Sequence, residues 1–271
     1  MDYDLIVVKT LERVYKNYYY IIRGGIMMRA QLEAEFIKIK RKKMVLAMFC
    51  FLAAAVSLIG VYFHFASVSE PGFHSFGKFT ERCMSVISML LPFLSGMLLI
   101  SQISCEYRYH TIKEILQIPI SMNRLLFVKV MLNILVLFII LVLLVPVMLL
   151  FAIVLKTGIS VEILMGILVK SGALAVLTPM SLIPIILITQ ITKSNAVLIT
   201  SLEFIYIIIG LAGGEKLAGV HPVSSILTIL WGGESISQPK VLMAAWLNII
   251  AMSTVFTLLI CLKNHMTKLD L

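Results

Sequence analysis

Residues 105–124 read CEYRYHTIKEILQIPISMNR, the longest charged interruption between two strongly apolar runs in a chain of 271 residues. Within it Tyr109, Ile112, Ile115 and Leu116 recur at helical spacing, whereas Arg108, Lys113, Glu114 and Gln117 take the other face. This pattern predicts a short amphipathic helix stopped by Pro119, which has no backbone N–H to continue the ladder. Such a helix lies at a boundary or docks on a partner.

The runs on either side decide the class. Hydrophobic residues make up 60% of the chain and charged residues 14%, and its mean hydropathy is +1.02; soluble domains are usually about 45–50% apolar. Inside a bilayer every backbone polar group must be satisfied within the protein, so long continuous apolar runs read as helices. The expectation is therefore an all-α polytopic membrane protein with six spans at 44–66, 83–104, 125–155, 163–191, 196–212 and 241–262. Pro92 and Gly96 permit a bend in the second span, Pro146 sits toward the outer end of the third, and Pro179 and Pro184 break the fourth. Residues 224–231 are apolar but far too short to span, which predicts a re-entrant or interfacial outer segment before the sixth span.

Before the first span, residues 29–43 carry Leu32, Phe36 and Ile39 as an apolar stripe, flanked by Glu33, Glu35, Lys38 and Lys40 and closed by Arg41, Lys42 and Lys43. This predicts an interfacial elbow helix. A solvated charge run would account for the lysines but not for the stripe. Residues 1–28 form an N-terminal extension of uncertain status: Val7, Leu11, Val14 and Tyr18 allow a short helix, and Met27-Met28 offers a second start. Residues 29–271 are expected to form one transmembrane domain. The first 43 residues lack the apolar core and cleavage site of a secretory signal.

Orientation follows from charge. With both termini inside, 17 of the 23 Lys and Arg residues fall on inner segments and five on outer ones, and Lys170 lies within the fourth span. The positive-inside rule therefore places the termini and residues 105–124 in the cytoplasm. The net charge of +9 is spent on this topology, so nucleic acid is not an expected partner.

Chemistry-bearing motifs are sparse. There is no G-x-x-x-x-G-K-[ST] phosphate loop, and Gly213-Gly214-Glu215-Lys216 has neither its spacing nor a preceding soluble strand, which excludes ATP hydrolysis by this chain. His64, His74, His110, His221 and His265 are scattered, as are Cys50, Cys83, Cys105 and Cys261, so neither a metal site nor a disulfide is expected. Two ionisable side chains, Lys170 and Glu203, fall within spans and are candidates for function because charge is expensive in lipid. They lie about 10 Å from opposite surfaces by helical rise, so a direct pair is not expected. Lys170 can snorkel, and Glu203 either faces a pathway or partner subunit or is buried beside a polar neighbour.

The run Glu106, Thr111-Ile-Lys-Glu-Ile-Leu-Gln-Ile-Pro119-Ile-Ser121, Arg124-Leu-Leu and Lys129 resembles the segment after the second span of ABC-2 family permeases, the membrane subunits of ATP-binding-cassette exporters. That pattern reads Glu, Gly-Thr, a Leu-rich helix, Pro-x-Ser-Arg and a Leu-rich third span ending in Lys; here His110 stands at the glycine and Met122 at the arginine, with Arg124 at a familiar basic position. The elbow, six spans and re-entrant segment are similar as well. The resemblance implies that Glu106 to Ile118 is a coupling helix, with Glu106, Arg108, Thr111, Lys113, Glu114 and Gln117 meeting a nucleotide-binding subunit. It implies two such subunits per complex, holding the ATP and magnesium that this chain does not bind, and a second copy of the permease or a paralogue. It also implies a bacterial cell membrane. Size and short outer loops are similar to those of lantibiotic and bacitracin-type peptide immunity permeases. A non-transporting scaffold or sensor subunit is the alternative, and a secondary transporter fits less well because no inverted repeat is visible.

Overall fold

The computed structural model describes residues 32–39, 43–69, 75–108, 122–192, 195–235 and 239–269. They form nine α-helices and one 3-10 turn, and no strand occurs among them. The helices are α1 (32–39), α2 (Lys43–Ser69), α3 (Phe76–Arg108), α4 (Met122–Val154), α5 (Val161–Ser181), α6 (Ile183–Thr192), α7 (Ala196–Gly213), α8 (Pro222–Ser235) and α9 (Pro239–Leu269). Residues 1–28 and the 109–118 part of the expected coupling helix lie outside the described residues.

Among the described residues six segments are long and apolar enough to cross a membrane: Lys43–Phe65, Phe76–Tyr107, Met122–Val154, Val161–Thr192, Ala196–Gly213 and Lys240–Asn264. The described part of the chain is thus all-α with six candidate spans, as its apolar runs predict. Their bounds differ most at the second span, where the helix begins at Phe76 rather than 83. Lys78, Glu81 and Arg82 form its first turns, charged helix that continues beyond the apolar part of the span.

The spans form a bundle around α3, which packs against α2, α4, α5, α6, α7 and α8. One apolar cluster joins α2, α3, α4 and α5 through residues such as Leu52, Val56, Ile87, Leu91, Leu137 and Leu144. A second joins α3, α6 and α7 through Leu99, Ile103, Ile185, Ile186, Ile199 and Ile207. Leu58, Phe65, Val169, Val197, Leu258 and Leu262 lie exposed on the outside of the bundle, as expected where the solvent is lipid. At one end, here the base, α1, the end of α3 and the start of α4 converge, and Asn264 Nδ2 near the end of α9 donates to Asn123 Oδ1 at the start of α4. At the opposite end, the crown, α4 turns into α5 through Lys156, at φ 53°, and the Thr157 backbone N–H closes α4 on the Ala152 carbonyl at 3.1 Å.

The fourth span is two helices. α5 stops at Ser181, and α6 starts at Ile183 with Pro184 in its first turn, a position where the missing N–H has no helical partner to lose. Across the break Ile185 N–H bonds the Leu182 carbonyl at 3.0 Å. The Ser181 carbonyl is taken instead by Tyr206 Oη of α7, which donates to it at 2.9 Å. The freed backbone acceptor is therefore satisfied from a neighbouring span, the condition on which a broken helix is tolerated at membrane depth.

The short apolar segment is the 14-residue helix α8, about 21 Å long at 1.5 Å per residue. Its first turn is buried at Val223, Ser224 and Ser225, among α3, α5, α7 and α9. Asn248 of α9 holds the turn that leads into it, donating through Nδ2 to the Val220 carbonyl at 2.9 Å and accepting at Oδ1 from Ser225 Oγ at 3.3 Å. His221 serves as its cap: Nδ1 accepts the Val223 N–H at 3.3 Å, and burial pushes the imidazole below its ordinary pKa, which favours the neutral ring that an acceptor nitrogen requires.

Tyr206→Phe removes the donor to the Ser181 carbonyl without changing the ring, and should cost about 1–3 kcal/mol, the range for a buried acceptor left unpaired. Thermal unfolding of the detergent-solubilised protein measures it; an unchanged midpoint would mean that the carbonyl finds another donor.

Candidate functional site

At the base, four ionisable side chains from three helices meet. Lys129, in the second turn of α4, is 1% exposed. Its Nζ donates to Glu106 Oε1 of α3 at 2.8 Å, to Glu35 Oε2 of α1 at 3.0 Å and to the Gln102 carbonyl at 3.3 Å. An ammonium has three N–H groups, and here each has an acceptor. Lys38 of α1 adds an ion pair to Glu35 Oε1 and a longer one to Glu106 Oε1 at 3.5 Å. Two carboxylates and two ammonium groups make the cluster formally neutral.

The electrostatics of α1 follow from this arrangement. Burial pushes the Glu35 carboxyl up, but the Lys129 charge and the hydrogen bonds from Lys38 and Lys129 hold it below the ordinary carboxylate range. Burial likewise pushes the Lys38 ammonium down, and the hydrogen bond and charge of Glu35 outweigh it, leaving it above its ordinary value. Both groups are therefore charged across the neutral range.

The cluster alters the reading of α1. The apolar stripe expected to make this helix interfacial was Leu32, Phe36 and Ile39. In the structure Glu35 and Ile39 are buried, Leu32 is half-buried, and Phe36 and Ile37 are exposed. Phe36 and Ile37 can face acyl chains at a membrane interface at no cost, whereas the Glu35 carboxylate needs a cation.

Glu106 is likewise placed inside the bundle, not on a surface open to a soluble partner. Tyr107 is half-buried beside it, and α3 ends at Arg108. Thr111, Lys113, Glu114 and Gln117 lie outside the described residues. The cluster therefore sits at the root of the 109–121 segment: Glu106 precedes it, Lys129 follows it, and their contact joins the two helices from which it hangs.

The two intramembrane candidates are elsewhere and do not meet. Glu203 of α7 is 1% exposed and its carboxylate presses on α3 at Gly96; a Cβ built there would lie 1.9 Å from Oε1. Neither carboxylate oxygen has a hydrogen-bond partner of standard geometry among the described residues. The Phe93 and Phe204 rings, with centroids 4.9 Å apart, flank the contact. Glu203 is thus buried within the bundle, against glycine backbone instead of a polar side chain. Lys170 of α5 lies toward the crown with Nζ 4.4 Å from the centre of the Trp231 ring of α8.

Sequence reasoning noted Lys129 only as the end of a motif, and took Glu35 and Lys38 as flanking charges. The available signal was local: Glu35 and Lys38 are three residues apart, hence on one helix face, and Lys129 stands in an apolar run where an unmatched cation is disfavoured.

Two substitutions probe these contacts. Lys129→Met leaves two buried carboxylates sharing the half-exposed Lys38 and should destabilise the protein by about 3–5 kcal/mol, with partial recovery when Glu35→Gln and Glu106→Gln are added; urea or thermal denaturation in detergent reads both. Gly96→Ala should cost about 1–3 kcal/mol through overpacking on Glu203, and the double change with Glu203→Ala should restore stability, because the methyl then enters vacated space. If the two Gly96 effects simply add, the contact is not what requires glycine.

No curated protein matches the chain. The family model described as ABC-2 family transporter protein matches residues 31–210, a stretch that contains α1, the first four spans, most of the fifth and all four residues of the base cluster. The chain is a six-span membrane protein that belongs to the ABC-2 transporter family.

Proposed function

We propose that the chain is the membrane subunit of an ABC exporter, driven by ATP hydrolysis on a separate nucleotide-binding subunit. The observation that carries this reading is the neutral cluster at the root of the 109–121 segment. A coupling element works only if a push on it moves the spans and is not lost in its attachments. Glu106 and Lys129, in contact at 2.8 Å, lock the two attachment points together, and Glu35 ties the elbow helix to the same ammonium at 3.0 Å. A displacement of the segment would then move α1, α3 and α4 as one body, a shear of packed helices rather than a bending of loops.

In this reading Arg108, Thr111, Lys113, Glu114 and Gln117 supply the contacts to the nucleotide-binding subunit, while Glu106 acts inward as the anchor. Two such subunits hold the ATP and magnesium, and a second permease, identical or paralogous, completes the pathway. In this reading the positive-inside rule orients the base toward the cytoplasm, and the likeness to ABC-2 permeases implies the cell membrane of a bacterium. The likeness in size and short outer loops to peptide immunity permeases supports a membrane-active substrate, an antimicrobial peptide or another amphiphile, removed outward from the bilayer.

Reversal at Glu106 would break the internal cluster, so the informative changes are Lys113→Glu and Glu114→Lys. Each should weaken co-purification with the nucleotide-binding subunit by about tenfold or more and lower its stimulated ATP hydrolysis in proteoliposomes, since mismatched interface charges cost several kcal/mol. Full association and full stimulation in both variants would exclude the coupling role.

A further inference from the structure

At the crown, the starts of α3 and α5 and the body of α8 line a half-open cavity of about 510 Å³, within the roughly 300–1,000 Å³ typical of small-molecule sites. Its walls are of three kinds. Lys170 supplies a cation, Glu81 a carboxylate, and Met84, Ile167, Ile229 and the Trp231 ring an apolar surface. The Lys170 ammonium is held over the face of Trp231 at 4.4 Å, and among the described residues it has no carboxylate within ion-pair distance. The ring fixes the cation without neutralising it.

Space is kept open where a side chain could have filled it. Gly166 lines the cavity, and a Cβ added there would meet no atom within 4 Å; nothing in the packing of α5 requires glycine at that position. Lys170 follows one turn later on the same helix, so the opening lies next to the cation.

A fixed cation, a separate carboxylate and an apolar wall match a zwitterionic amphiphile with an acidic group and an amine. We propose that this cavity binds the headgroup of an aminophospholipid from the adjoining leaflet, its phosphate on Lys170, its amine on Glu81 and the start of its chains along Ile167 and Ile229. The site does not depend on coupling to ATP hydrolysis. It would let the crown exchange lipid, or a ligand of the same chemistry, with the bilayer beside it.

The chain has two tryptophans, and Trp246 stands on α9 away from the cavity lining. In full-length Trp246→Phe protein, Trp231 is the sole tryptophan and reports on the cavity wall. The protein is reconstituted in phosphatidylcholine vesicles, and brominated phosphatidylethanolamine is titrated in while Trp231 fluorescence is followed. Saturable quenching at low mole fraction is expected, about tenfold weaker in Lys170→Gln, the loss of one charge-assisted contact. It should be weakened similarly by Glu81→Gln and abolished by Gly166→Leu, whose side chain occupies the space; monodisperse elution of each variant shows that it has folded. Brominated phosphatidylglycerol, which lacks the amine, should give only the linear quenching of bulk lipid. Linear quenching by phosphatidylethanolamine, identical in all variants, would overturn the site, and equal saturation by phosphatidylglycerol would overturn the recognition of an amine.

Discussion

The buried ammonium of Lys129 is the constraint on which the base of the molecule is built. A lone cation in a hydrocarbon-facing bundle would cost several kcal/mol, and the fold meets that cost by bringing acceptors from α1 and α3 to one point. Each acceptor fixes something larger than itself. Glu35 sets the rotation of α1, Glu106 sets the register of α3 against α4, and the Gln102 carbonyl sets how closely they approach. Apolar packing alone would tolerate sliding of these helices in a way that three directed hydrogen bonds to one nitrogen do not.

The same logic runs along α3. Ser88, Ser95 and Gln102 recur at intervals of seven and Glu106 follows four later, so a single face of this central helix is polar and buried. Its groups address different neighbours: Ser88 Oγ accepts from Trp231 Nε1 of α8 at 3.2 Å, Ser95 Oγ accepts from Asn133 Nδ2 of α4 at 2.9 Å, and the last turns meet Lys129. Between helices surrounded by lipid, burial of oil supplies no net drive, and small residues with interhelical hydrogen bonds take over the role of specifying contacts. The outward faces, free of that demand, are left to Leu, Ile, Val and Phe.

What could be read from the sequence follows the same division. The six spans, the broken fourth span and the short helix before the sixth were legible because hydropathy and proline act locally, within one turn or one segment. The start of α3 was placed seven residues late because charge was taken to end a helix, when in a membrane protein it ends only the apolar part of one. The inward turn of Glu35 and the docking of Glu203 on Gly96 were not legible. Each depends on a partner 94 or 107 positions away, and no local pattern distinguishes a glycine that makes room for a carboxylate from one that merely permits a bend. The coupling residues beyond Arg108 rest on resemblance to a family pattern, not on contacts.

The base cluster also bears on how the protein is made. A chain emerges from its amino end, and Glu35, Gln102 and Glu106 all precede Lys129 in it. When the third span enters the membrane, the groups that will receive its cation have already been synthesised, so the most heavily charged junction of the bundle is assembled around a lysine that arrives last. Were the order reversed, an ammonium would wait in the bilayer for its counterions through two further spans; as written, the sequence delivers the acceptors first.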